Sequence, residues 1–158
     1  MTASPLIVRP FERDDVACVL RLMRDLAVFE GYIDDFRVTE GDLIAHGLGD
    51  NPRFGVLVAE LDGRVVGIAV HYVIPWTYDL KPTLVLKELF VDETARSLGA
   101  GAALIAALKR HAAAIGAPRI EWSVLASNDD AKRFYRRQGA VLDAIWEPWA
   151  LSIGSDDA

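Results

Sequence analysis

Cysteine is nearly missing from this 158-residue chain. Cys18 stands alone, so no intramolecular disulfide can form and a reducing, cytoplasmic setting is expected. Long apolar runs are missing too. No stretch approaches the roughly 18 uninterrupted apolar residues of a membrane-spanning helix, and Met1 to Pro5 has neither the basic nor the apolar part of a signal peptide. Positive charge is in deficit: 17 Lys+Arg against 23 Asp+Glu leave a net charge of −6. That balance is poor for gripping phosphate backbones, so no nucleic-acid or membrane partner is expected. The three histidines, His46, His71 and His111, share no ligand spacing with Cys18, and no metal is expected. Apolar residues, by contrast, make up 52% of the chain and charged residues 25%, the composition of one globular domain over residues 1–158 with one sizeable core.

The order of elements follows from periodicity and punctuation. Leu6-Ile7-Val8 reads as a strand that ends at Pro10. Val16, Val19, Leu20, Met23, Leu26 and Ala27 recur at helical spacing up to Glu30-Gly31, and Thr39 with Asp42 opens a short second helix. Phe54–Leu61 and Val65–Ile74 read as strands joined by Asp62-Gly63, a strong hairpin signal. Leu84–Val91 is a third apolar run, Gly99–Ile115 an alanine-rich helix stopped by Gly116 and Pro118, and Ile120–Val124 a strand. Asp129–Gln138 predicts a helix, with last strands at Val141-Leu142 and Ala150–Ile153. The pattern β-α-α-β-β-β-α-β-α-β-β predicts an α/β chain: one mixed, mostly antiparallel sheet flanked by helices on both faces.

The segment from Leu86 to Ala102 carries the most chemistry. A buried strand runs through a polar loop into Arg96-x-x-Gly99-x-Gly101 and then a helix. Glycines without Cβ let backbone N–H groups approach an anion, and the helix start brings its own unpaired donors and partial positive charge. A P-loop is excluded because no Gly-Lys-Ser/Thr follows. A dinucleotide fingerprint needs a third glycine where Leu104 stands and glycines directly after the strand, whereas Asp92 to Leu98 intervene. A pyrophosphate site is therefore the favoured reading.

Arg96-x-x-Gly99-x-Gly101 after Leu89-Phe90-Val91 resembles the acetyl-CoA motif of the GNAT N-acetyltransferase superfamily. Asn128-x-x-Ala131-x-x-Phe134-Tyr135-x-x-x-Gly139 resembles its second motif. Leu26–Glu30, Val38–Leu43 and Leu57–Glu60 resemble the spermidine/spermine (diamine) branch, and the likeness covers roughly residues 5–153. The resemblance implies the acyl-CoA N-acyltransferase fold, with a bulge in the strand at Leu84–Val91 and a splay from the strand at Ile120. It implies that Leu89, Phe90 and Val91 line the pantetheine arm, that Arg96, Ser97, Leu98, Gly99, Ala100, Gly101 and Ala102 hold the pyrophosphate, that Asn128 bonds the pantetheine and that Phe134 packs beside it. Tyr135 matches the family's general acid.

The implied reaction is direct attack of a primary amine on the thioester of acetyl-CoA in a ternary complex. An alkylamine with a pKa of about 10.4 needs a base, and a thiol of about 8.5 needs a proton as it leaves. The branch often carries an acidic pair before Phe-Val. Here Lys87 takes the first position and Glu88 remains as the candidate base, with strand alternation sending the two to opposite faces. Acceptor-binding candidates are Glu30, Asp34, Asp35, Trp76, Asp79 and Trp149, because carboxylates and aromatic faces suit a small cation. Trp122 and Trp146 are assigned to the core. The expected acceptor is a polyamine, a diamine or a thialysine- or lysine-like amino acid, and the expected assembly is a homodimer, as in relatives. A non-catalytic CoA-binding module and a dinucleotide-binding oxidoreductase stay open as rivals.

Overall fold

The sheet grows from one tight turn. Asp62 and Gly63 join β2 (Gly55–Leu61) to β3 (Arg64–Ile74) with φ values of 53° and 73°. Two positive φ angles in a two-residue loop give the twist that antiparallel neighbours need. β1 (Ile7–Pro10) pairs antiparallel with β2, and β4 (Thr83–Val91) antiparallel with β3, while β5 (Ile120–Glu121) runs parallel to β4. The result is a five-stranded sheet in the order β1-β2-β3-β4-β5, the mixed, mostly antiparallel sheet that the sequence predicts. The computed structural model describes residues 5–76 and 78–154. Residues up to Leu125 form one compact unit, and Ala126 onward form a second.

Strand alternation gives the sheet two different faces. On one, Val56, Val58, Ile68 and Val70 meet Val19, Leu22 and Met23 of α1 (Val16–Glu30) and Leu43 of α2 (Glu40–Gly47) in a buried cluster. Gly31, at φ 84°, closes α1 with its N–H on the Ala27 and Val28 carbonyls. Thr39 and Asp42 cap α2 reciprocally, as their spacing predicts. The other face is small: Ala59 and Ala69 are fully buried, and a Cβ added to Gly67 would lie 3.3 Å from Leu104 of α3 (Ala100–Ala114). The missing side chains let α3 come close. At the start of α1, Arg9 of β1 donates to Asp15 at 2.6 and 3.0 Å and to Glu60 of β2 at 2.9 and 3.1 Å. The hydrogen bonds from Arg9 hold the Asp15 carboxyl below its ordinary range.

In the second unit, α4 (Asp129–Arg137) is capped by Asn128, whose Oδ1 accepts from the Ala131 N–H at 3.1 Å. Gly139, at φ 89°, follows its end. The chain beyond differs from expectation. Neither Val141-Leu142 nor Ala150–Ile153 forms a strand, and the strand expected to reach Val124 stops at Glu121. A strand exists only by pairing, and the second unit offers α4 alone and no strand ladder to join. Val141, Leu142, Ile145, Trp146, Trp149, Leu151 and Ile153 are consequently 75–90% exposed. Trp146, assigned to the core from the sequence, is among them, whereas Trp122 is half-buried.

Candidate active site

One extra residue in β4 shapes the site. Val70 of β3 pairs with Glu88, but the next residue, His71, pairs with Leu86, so Lys87 has no partner across the ladder. This is a β-bulge, and it cancels the alternation that would have put Lys87 and Glu88 on opposite faces. Both line one cavity of about 440 Å³, with Met23, Leu43, Val70 and Tyr72 among its apolar walls and Arg37, Asp42 and His46 among its polar ones. The slip was legible. Paired residues share a face, so Leu86 (opposite His71) and Leu89 (opposite Ala69) lie on the same side, three positions apart where a regular strand needs an even number.

Glu88 is the half-buried acid of this cavity. Its Oε2 is enclosed and has no hydrogen-bond partner among the described residues. Burial raises the carboxyl above its ordinary range, Lys87 lowers it, Glu30 raises it, and the Tyr32 hydroxyl lowers it by favouring the charged form. Tyr32 is itself pushed up to about 12, chiefly by burial and then by the nearby charge of Glu88. Nothing in the sequence marked Tyr32 as part of this group. It arrives there because the turn at Gly31 folds it back, its N–H bonded to the Ala27 carbonyl.

Beside the cavity lies an open strand edge. β5 pairs with β4 only at Leu84 and Val85, so from Leu86 to Val91 that side of β4 carries no β5 backbone. The chain then turns through Asp92, whose carboxylate accepts from the Thr94 N–H at 3.1 Å. It passes Ser97 at φ 65° and Gly99 at φ 86° before entering α3. Left-handed residues just ahead of a helix whose first N–H groups have no side-chain cap form a concave backbone surface suited to an anion. The Arg96 Nε donates to the Val91 carbonyl at 3.2 Å, and its guanidinium lies 5.6 Å from the Phe90 ring centroid. The strand edge and the loop together fit the thioester arm and the diphosphate of an acyl-CoA.

The other candidates are more dispersed. Glu30 reaches Glu88 electrostatically. Asp34 and Asp35 sit in a short 3-10 turn, and Trp76 and Asp79 lie in the exposed β3–β4 connection with Trp76 63% exposed. None of these five lines the cavity. Trp149, Asn128, Phe134 and Tyr135 belong to the second unit. There the Phe134 and Tyr135 rings meet edge-on with centroids 5.4 Å apart. Arg37, Asp42, His46, Phe54 and Tyr72 are cavity residues that sequence reasoning missed. They come from separate elements, and only the sheet register and the packing of α2 bring them together. No cluster of three or more His, Cys, Asp or Glu suited to a metal occurs among the described residues. No helix among them is long and apolar enough to cross a membrane.

The site thus joins a bulged strand, left open along one edge, to a glycine-rich helix start. Residues 19–140 match the acetyltransferase (GNAT) family, and the chain belongs to it. Over 153 residues it is 30% identical to the human spermidine/spermine N(1)-acetyltransferase-like protein 1, covering 91% of this chain and 22% of that protein. The chain thus spans less than a quarter of that relative's length. It is 29% identical over 145 residues to the thialysine N-epsilon-acetyltransferase of Sus scrofa, covering 87% of this chain and 85% of that one. Among solved structures, an aminoglycoside acetyltransferase from an uncultured soil metagenomic sample, in complex with trehalose, matches with a TM-score of 0.74. That pair is 26% identical, with 93% of this chain and 97% of that one covered.

Proposed function

We propose that the chain, acting as one N-acetyltransferase domain, moves an acetyl group from acetyl-CoA to a primary amine of a small molecule held in the Glu88 cavity. The observation that carries this reading is the unpartnered, buried Oε2 of Glu88 in a cavity beside the open edge of β4. An acid raised by burial is a better base than an ordinary carboxylate, and its bare oxygen suits an ammonium proton. The amine nitrogen bonds to the thioester carbon, the nitrogen's proton passes to Glu88, and the carbon–sulfur bond breaks. Backbone N–H groups at Leu89 to Val91 serve the carbonyl oxygen as negative charge develops on it. Tyr135, at the family's motif position, supplies the proton to the departing thiolate. Arg96 through Ala102 hold the diphosphate, with Asn128 and Phe134 along the pantetheine. Glu30 tunes the electrostatics of the acceptor end. Because residues 19–140 match one family, the chain is read as a single domain across the break at Leu125.

Two further parts of the reading have their own support. The run of exposed large apolar side chains from Val141 to Ile153 favours a homodimer, because apolar side chains left open to water in such number suit an interaction site. The single cysteine favours a reducing, cytoplasmic setting.

Thiol release from acetyl-CoA over a panel of amines tests the chemistry. Glu88→Gln is expected to lower kcat by about 10²–10⁴-fold, the usual worth of a positioned base. Tyr135→Phe is expected to lower it about tenfold or more, with acetyl-CoA affinity retained in both. Undiminished turnover in Glu88→Gln at several pH values removes Glu88 from the base role.

A further inference from the structure

We propose that the acceptor carries a carboxylate as well as its reactive amine, in the manner of a lysine-like amino acid, and that Lys87 selects it over diamines and polyamines. This rests on the acetyl-transfer reading above and adds the acceptor's chemical class. The argument is the charge inventory of the cavity wall. Four of its residues are formally charged at neutral pH: Arg37, Asp42, Lys87 and Glu88. Asp42 is committed elsewhere, its Oδ2 accepting from the Thr39 N–H at 2.9 Å and from the Thr39 hydroxyl at 2.8 Å as the cap of α2. Glu88 is therefore the one carboxylate of the lining left to receive an ammonium group, with Glu30 near enough to be felt by it but outside the lining. A lysine-like amino acid carries its second ammonium beside its own carboxylate, whereas a diamine or polyamine presents that second positive charge unbalanced to the remaining charged groups, which are both cations.

Those two cations are placed to receive an anion. The Lys87 side chain makes no hydrogen bond and no ion pair within 4 Å with any described residue. The bulge turns it into the cavity next to Glu88, whose titration feels its charge. Arg37 is held at the same cavity by its Nη1, which donates to the carbonyls of Asp34 at 2.6 Å and Phe36 at 3.1 Å. Its other N–H groups remain as a planar fork for a carboxylate. An acceptor with an amine at one end and a carboxylate near the other satisfies Glu88 and the two cations together. A polycation satisfies Glu88 and is repelled by both.

The test uses matched acceptors that differ by a single charge: lysine against cadaverine, ornithine against putrescine, and lysine against lysinamide, with saturating acetyl-CoA and thiol release as the readout. The wild-type enzyme is expected to favour the carboxylate-bearing member of each pair by about tenfold or more in kcat/KM, mostly through KM. Lys87→Glu is expected to invert the preference and Lys87→Arg to preserve it. Acetyl-CoA affinity by calorimetry reports that each variant is folded. Equal or better use of the diamines by wild type overturns the proposal, as does a ratio unmoved by Lys87→Glu, or turnover confined to polyamines or aminoglycosides. In all three of those results acetyl transfer itself survives. Absence of turnover with every amine, in a protein that binds acetyl-CoA, overturns the acetyl-transfer reading and this one with it.

Discussion

Burial lifts the Glu88 carboxyl, Glu30 adds to the lift, and Lys87 and Tyr32 oppose it. A raised native pKa means that the folded protein prefers this acid neutral. The stability that the neutral form contributes is complete below the unfolded value of about 4.3 and is lost as pH rises through the raised native value. The charged form of Glu88 that the proposed chemistry uses is therefore the form that weakens the fold. Glu88→Gln, inactive as a base, is expected to raise Tm near pH 7, with the gain fading as pH falls towards about 4. Thermal unfolding followed across that range checks it, and a Tm lowered equally at every pH would contradict the account of a buried charge. Tyr32, pushed up to about 12, stays protonated throughout and remains a donor to the carboxylate.

At the scale of elements, β4 and the loop after it do most of the positioning. Gly99 sits at φ 86° with nothing within 4 Å of where a Cβ would be. A side chain there meets no neighbour, and its cost is purely conformational, about 1–2 kcal/mol. Gly99→Ala is expected to lower Tm modestly and to weaken acetyl-CoA binding several-fold, because relaxing φ re-aims the N–H groups at the start of α3. Calorimetry with acetyl-CoA decides; equal affinity would show that this loop does not hold the diphosphate. The hairpin at Asp62-Gly63, the cap at Thr39–Asp42 and the glycine entry to α3 were all readable in the sequence, since each is a local rule of backbone geometry. The cavity was not, because Arg37, Phe54 and Tyr72 meet only after the sheet register is fixed. The placement of Lys87 failed for a narrower reason: alternation was assumed across a strand whose leucines slip from a spacing of two to a spacing of three.

For the whole molecule, the question is what covers the segment from Val141 to Ile153. Its apolar pattern reads as strand, yet its side chains lie open to solvent. Sequence periodicity reports which residues seek burial, not where their partner is, so two predicted strands did not form within one chain. If the segment is a dimer contact, the protein sediments as a dimer, and Leu151→Asp combined with Ile153→Asp gives a monomer. Sedimentation velocity over a range of concentrations checks both, and a wild-type monomer throughout ends the homodimer reading.

The bulge at Lys87 has a consequence for how such a protein changes over time. A residue that faces no backbone rung can be exchanged without disturbing any interstrand bond, while its neighbour Glu88 keeps its pairing with Val70. On the proposed reading, a single codon change at that position redirects which amine is accepted and leaves both scaffold and proton acceptor intact, so close kin of this chain diverge in diet while sharing one architecture.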